Sequence, residues 1–296
     1  MELGEECRSC LLKSQTNKVR DYIDKEKRDL FINRISELCK TFPNDKASPL
    51  LMREINNVHK EIFNESLNYH QEKIKYNQLC LDFEDKIRNT ILNSDDPLKK
   101  AIQFARVGNL IDFAKLSSID IDLFEYFINK AEEQDVDLKT LSKLKMDLEN
   151  ANVVVYLLDN CGEIVFDKLL IEQIKKLYPN IKEIHAIVRK EEIINDVTYF
   201  DARMVGLDKV CIIDDNGTDI PGTYLKEVSK HCLDLLNQSD VIISKGLGNF
   251  ETLNGCKLNI YYMFLCKCDY FADKFNLKKW ESVLVNEKDL KGKKED

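Results

Sequence analysis

The residues best suited to chemistry follow an apolar run. Val153-Val154-Val155-Tyr156-Leu157-Leu158 stops at Asp159-Asn160-Cys161-Gly162-Glu163. A β-branched run of this length predicts a strand buried on both faces, as in a parallel sheet. Such a strand delivers an acid and an amide side by side to its C-terminal end, the edge where open α/β sheets bind ligands. Carboxylate and amide oxygens are hard donors, which suit Mg²⁺ or Mn²⁺ better than a soft metal. The plain alternative is an Asp-Asn turn between a strand and a helix.

Other turns carry similar residues. Arg189 and then Asn195-Asp196 follow a second apolar run, and Asp214-Asp215-Asn216-Gly217 follow a third. Lys245-Gly246-Leu247-Gly248-Asn249-Phe250-Glu251 follow a fourth, and Lys267 lies between Cys266 and Cys268 after a fifth. In a parallel sheet all of these line one edge. They would supply carboxylates and amides for a divalent cation, with lysines and an arginine for an anion, which points to a phosphorylated substrate. Asp214-Asp215-Asn216-Gly217 is most simply a turn. Gly246 and Gly248 are either punctuation or a flexible loop that lets backbone N–H groups approach a phosphate. No Gly-Lys-Ser/Thr closes that loop, which argues against a nucleotide triphosphatase, and no Gly-x-Gly-x-x-Gly follows the first strand, which argues against dinucleotide binding. In the N-terminal half, Asn109 and Asp112 are three apart and would share a helix face, or else form a polar helix cap.

The elements that must position these residues divide the chain in two. Residues 1–150 show helical spacing of apolar residues over 19–39, 48–69, 76–92, 97–105, 122–133 and 138–150. Pro97 after Ser94-Asp95-Asp96 marks a helix start. Residues 151–296 alternate short apolar runs, at 153–158, 183–188, 209–213, 241–244, 258–264 and 282–285, with helical stretches at 164–177, 198–205, 224–236 and 268–275. This alternation predicts an α/β domain with a parallel sheet and helices on both faces, preceded by a helical domain.

Bulk composition excludes several classes. With 44 basic and 52 acidic residues in 296, the formal charge is −8, and without a basic block the chain is a poor nucleic-acid binder. No apolar run reaches the ~20 residues of a membrane helix, and the acidic start lacks a signal-peptide core. A cytoplasmic location is therefore expected, with the ten cysteines mostly reduced. Cys7-x-x-Cys10 could bind a soft metal or form a redox pair, but a zinc site needs two more ligands, which Cys266 and Cys268 could supply only across space. A local structural role for these thiols is preferred. The four histidines are scattered and suggest no Ser-His-Asp arrangement.

Taken together, five segments resemble the metal-dependent damage-control phosphatases, the family catalogued as domain of unknown function 89. They are Glu6-Cys7-Arg8-Ser9-Cys10-Leu11-Leu12, Gly108-Asn109-Leu110-Ile111-Asp112-Phe113, and Asp159-Asn160-Cys161-Gly162-Glu163-Ile164-Val165-Phe166-Asp167. The others are Val188-Arg189 with Ile194-Asn195-Asp196-Val197-Thr198, and the stretch from Ser239-Asp240 to Thr252-Leu253. The likeness covers most of the chain and is nearest to shorter archaeal and bacterial-type members with an N-terminal Cys pair. It implies a three-layer sandwich with a mostly parallel sheet beside a helical N-terminal domain. It implies metal ligands at Asp159, Asn160 and Asp196, and a phosphate-binding lysine at Lys267. Lys245, Asn249 and Glu163 match positions near substrate, and Asn109 and Asp112 match the motif that the helical domain lends to the cleft. The family tends to have Pro where this chain has Glu192.

The resemblance therefore implies hydrolysis of small phosphomonoesters, sugar phosphates or damaged phosphometabolites, with Mn²⁺, Co²⁺, Ni²⁺ or Mg²⁺. Asp159 and Asp196 would be the catalytic acids. The rivals are a carboxyl methyltransferase and a non-catalytic regulator that binds metal and phosphometabolite. The methyltransferase reading would need a place for an adenosyl cofactor, and no glycine-rich turn follows the first strand of this chain to supply one.

Overall fold

The computed structural model describes residues 2–107, 126, 128–129, 135–266, 269–275, 278 and 281–290. Three helices come first: α1 (Glu5–Lys18), α2 (Lys25–Thr41) and α3 (Ser48–Phe63). The helix expected over 19–39 begins only at Lys25, because Asp24 accepts the Lys27 N–H and caps it there. Helix α1 went unforeseen in the sequence, since charged residues interrupt its apolar spacing. Pro49 sits in the first turn of α3, and Asn64, left-handed at φ 60°, ends that helix short of the expected residue 69.

Helices α4 (His70–Leu92), α5 (Pro97–Val107) and α6 (Leu138–Asn150) follow. The remainder alternates as predicted: β1 (Val153–Leu157), α7 (Glu163–Leu177), β2 (Glu183–Val188), α8 (Tyr199–Met204), β3 (Ile212–Asp215), α9 (Lys230–Gln238), β4 (Val241–Lys245), α10 (Gly246–Leu253), β5 (Ile260–Leu265), α11 (Asp269–Phe275) and β6 (Ser282–Asn286). The helix expected over 122–133 falls almost wholly outside the described residues.

The six strands form one sheet in the order β3-β2-β1-β4-β5-β6. The first five run parallel and β6 pairs antiparallel with β5. Successive side chains of a strand face opposite sides, so two apolar layers result. Val154, Tyr156, Ala186, Ile243 and Met263 pack with α4 to α7, while Val155, Leu157, Ile242, Tyr262 and Phe264 pack with α9, α10 and Phe271. Helix α7 is buried on nearly every side from Glu163 to Ile174 because it lies between the sheet and the covering helices α4 and α5. Helices α1 to α3 hold a third apolar cluster, centred on Phe31, Ile35, Leu51 and Ile55. That unit is tied to the sheet side by Arg53 with Glu227, by Ser48 with Glu251, and by Lys60 with Asp219 at 3.6 Å.

The chain leaves β1 toward β2 and β3, then returns to β4 on the other side. Strands β1 and β4 are therefore neighbours whose following loops diverge, the crevice where open α/β sheets place ligands. Two expectations change near it. The third strand starts at Ile212 rather than at residue 209, because Gly206 at φ 73° opens a short 3₁₀ turn over Leu207–Lys209. Residues 246–253 form a helix instead of a loose glycine loop: Phe250 and Leu253, three apart, are both buried against the sheet. Among the described residues no helix is long and apolar enough to cross a membrane.

Helix α10 approaches the loop after β3 so closely that a Cβ on Gly248 would lie 2.1 Å from the Pro221 carbonyl oxygen. Backbone is hard to displace, so Gly248→Ala is expected to destabilise the protein by about 1–3 kcal/mol. Urea unfolding at unchanged m-value checks this; an unchanged midpoint would contradict it.

Candidate active site

The site is made by pairing two loops. The loop after β1 lies antiparallel beside the end of the loop after β2, through an Asn160–Asp196 bridge. The Val197 N–H donates to the Asp159 carbonyl at 2.9 Å, the Cys161 N–H to Asn195 at 3.0 Å, and the Arg189 N–H to Val197 at 2.8 Å. These bonds bring Asp159, Asn160, Arg189 and Asp196 together at the C-terminal end of β1.

One guanidinium serves both acids. Arg189 Nε donates to Asp196 Oδ2 at 2.7 Å, and its Nη2 lies 4.0 Å from Asp159 Oδ1. Its Nη1 is buried with no hydrogen-bond partner among the described residues. Asp159 is 8% exposed and Asp196 only 2%. Burial pushes the Asp196 carboxyl up to about 6, against the opposing pull of Arg189.

Glycine makes room for the first acid. Gly246 sits at φ 75°, and a Cβ there would lie 1.9 Å from Asp159 Oδ2. Any side chain at 246 would therefore evict the carboxylate as well as strain the backbone. Beside it, Asn249 is fully engaged. Its Nδ2 donates to the Leu158 and Lys245 carbonyls at 3.0 and 2.8 Å, and its Oδ1 accepts from Thr223 Oγ1 at 2.8 Å and Arg189 Nη2 at 3.3 Å.

Lys245 differs from the expected substrate-facing lysine. It is 0% exposed. Its ammonium donates to Glu163, to Asp167 Oδ1 at 2.7 Å and to the Ala105 carbonyl at 2.7 Å. An ammonium has three donors, so none is left for an anion. Tyr156 OH also donates to Asp167 Oδ1, at 2.7 Å. Burial raises the Asp167 carboxyl to about 7, with Lys245 opposing.

Helix α4 braces both loops. Asn77 accepts the Gly162 N–H at 2.7 Å and donates to Asp201 at 3.1 Å; Lys73 pairs with Asp201 at 2.8 Å and with Glu192 at 2.6 Å. Glu192 thus holds the Asp196 loop by an ion pair. Lys73, Asn77, Asp167 and Tyr156 were missed from sequence as members of the site. Asp167 was the one within reach, since it lies one helical turn beyond Glu163 and so on the same face.

Asn109, Asp112 and Lys267 lie outside the described residues. Asp214 and Asp215 fall within β3 instead of at the cleft, where Asp214 accepts from His185 and His231 at 2.7 and 2.8 Å. Cys7 and Cys10 lie on α1, Cys7 half-buried and Cys10 exposed. Among the described residues no three His, Cys, Asp or Glu side chains gather as a metal cluster. The set that could hold a metal is two acids and one amide, Asp159, Asp196 and Asn160, all hard oxygen donors that fit a small divalent cation. Two carboxylates against one guanidinium, one of them destabilised by burial, leave room for further positive charge. A cavity of about 810 Å³ lies along α4 and α5 by Asn89, Asp96 and Gln103 and contains none of these residues.

The damage-control phosphatase ARMT1-like domain model matches residues 3–283. The chain belongs to this family. A damage-control phosphatase from Pyrococcus horikoshii is 28% identical over 297 residues, 97% of this chain and 99% of that protein. An uncharacterized protein from Methanocaldococcus jannaschii is 32% identical over 298 residues, 96% of this chain and 95% of its own. A crystal structure of a DUF89 family protein from P. horikoshii superposes with a TM-score of 0.84 at 26% identity, covering 97% of this chain and 99% of that one. This fold of the family, a mostly parallel sheet enclosed by helices beside a helical N-terminal region, is the one described above.

The raised Asp167 carboxyl sets a pH dependence. Unfolded Asp ionises near 3.8, whereas in the fold it stays protonated up to about 7. Folding therefore takes up a proton between those values, and this contribution to stability falls as pH rises through the window. Asp167→Asn has no such proton. The stability of the wild-type protein relative to Asp167→Asn is expected to decline from about pH 4 to 7 and then level off, which thermal unfolding at successive pH values measures. Parallel curves would contradict the assignment.

Proposed function

We propose that this damage-control phosphatase family member hydrolyses phosphomonoesters of small metabolites, sugar phosphates or damaged phosphometabolites, with Mn²⁺, Co²⁺, Ni²⁺ or Mg²⁺ held by Asp159, Asn160 and Asp196. The observation that carries the proposal is the convergence of two acids, an amide and a buried guanidinium at the β1/β4 crevice. The name of the P. horikoshii relative, a damage-control phosphatase, supports a phosphatase role.

When bound, the cation would offset negative charge building on the phosphoryl oxygens in the transition state. Arg189 holds Asp196 in place and limits the repulsion between the two acids. Asp159 is the more exposed acid and the first candidate to react. Two routes share this arrangement: Asp159 takes a proton from the water that displaces the metabolite's alcohol from phosphorus, or Asp159 itself displaces that alcohol, which leaves with a proton from solvent, and water then hydrolyses the aspartyl-phosphate to free the carboxylate and phosphate. Lys267 and the Asn109–Asp112 motif are assigned to substrate by the family pattern, and Asn249 acts through Arg189.

The test is phosphate release from a panel of sugar phosphates, with and without each of the four cations. Release is expected to require a cation. Asp159→Ala and Asp196→Ala are each expected to lower kcat/KM by at least about 10²-fold, the scale of losing one preorganised charge-stabilising group, with circular dichroism unchanged. Cation binding without release from any substrate would favour the regulator, and wild-type rates in Asp159→Ala would remove that residue from the reaction.

A further inference from the structure

An asparagine can ligate a cation only through its carbonyl oxygen, yet the two ends of its amide have nearly the same shape. Rotation about the terminal torsion of Asn is soft and broadly two-fold. Some neighbour must therefore choose which end of Asn160 faces the cleft. Two carboxylates surround it. Nδ2 donates to Asp159 Oδ2 at 2.5 Å and to Glu163 Oε2 at 3.3 Å. In the flipped amide, Oδ1 would face both carboxylate oxygens with no proton between them. Asp159 cannot keep the choice alone, because in the proposed reading its own oxygens turn to the cation. Glu163 is fully buried and is not one of the proposed cation ligands.

We infer that Glu163 is a positioning residue that orients the Asn160 amide, and that Lys245, Asp167 and Tyr156 form the buried chain that holds Glu163 in place. This inference rests on the proposal that Asn160 serves a cation. Lys245 Nζ binds Glu163 Oε1, leaving Oε2 for Asn160. Its other two donors are fixed by Asp167 Oδ1 and the Ala105 carbonyl, and Tyr156 secures Asp167 in turn. The chain joins β1 (Tyr156), the first two turns of α7 (Glu163, Asp167) and the end of β4 (Lys245), the elements that form the crevice. Lys245 thereby acts on the cleft through Glu163 and not by touching the anion. The role also gives a lysine with two acids a reason to sit in a dry interior. A buried ammonium holds its carboxylates strongly, and an orienting group must not move when the ligand arrives.

Glu163→Gln separates this role from mere packing. In that variant Lys245 takes the carbonyl of the new side-chain amide and leaves its NH₂ group facing Asn160, so the Asn160 amide turns and presents NH₂ to the cleft. Mn²⁺ alone is titrated calorimetrically into wild-type protein, Glu163→Gln, Asn160→Ala and the double variant, with metal-free thermal unfolding recorded in parallel. Glu163→Gln is expected to weaken Mn²⁺ binding by about 10–100-fold, the usual loss when a ligand's hydrogen-bond partner is removed. The double variant should bind no more weakly than Asn160→Ala, because Glu163 acts through Asn160. Glu163→Asp keeps the charge beside Lys245 but draws back from Asn160, and it should show the same loss with the fold retained, which covers the case in which Glu163→Gln does not fold. Wild-type affinity in Glu163→Asp, or additive losses in the double variant, would overturn the inference and leave the phosphatase reading standing. No Mn²⁺ binding by the wild-type protein would overturn both.

Discussion

Buried charge must be balanced in place, and this requirement shapes everything around the β1/β4 crevice. Asp159 and Asp196 share Arg189, Glu163 and Asp167 share Lys245, and Asp201 has Lys73. All of these side chains are nearly or wholly withdrawn from water. An unpaired ion there would cost several kcal/mol, so no member can be removed without a response from its partner. Each cation reaches its acids across different elements. Arg189 joins the end of β2 to the loops after β1 and β2, Lys245 joins β4 to α7, and Lys73 joins α4 to the start of α8.

The backbone meets this demand through close approach. Glycine at 246 leaves the space into which the Asp159 carboxylate turns, and glycine at 248 lets α10 touch the loop carrying Pro221. That loop supplies Thr223, which holds Asn249, which in turn holds Arg189. The acids are therefore set by a series of short contacts that begins outside the cleft. The helical N-terminal region takes part by the same means, since Asn77 and Lys73 grip both loops from α4.

Much of the architecture was legible. Six strand runs and the helices between them are local patterns, and the predicted bounds of β2 and α6 coincide with those observed. Helix α10 was misread because two glycines in the first turn look like a loop; burial of Phe250 and Leu253 on the sheet outweighs their helix penalty. Helix α1 was missed because its apolar face is interrupted by charge. In the site, Asp159, Asn160 and Asp196 were legible as polar residues after apolar runs, and the family resemblance is what singled them out from the other polar turns. The work of Lys245 could not. A lysine after a strand reads as a group for an anion, and only its three partners, drawn from residues 105, 163 and 167, show that its donors are taken.

The sequence by itself determined the alternation of strands and helices, the delivery of acids and amides to the strand ends, and a net charge of −8. These follow from local propensity, periodicity and composition, which need no knowledge of distant neighbours. Tertiary structure alone decided which acids share a cation, which end of the Asn160 amide is turned outward, and which glycines are obligatory. Those outcomes depend on distances between residues far apart in the chain, and electrostatic and hydrogen-bond energies change over less than one ångström of that separation.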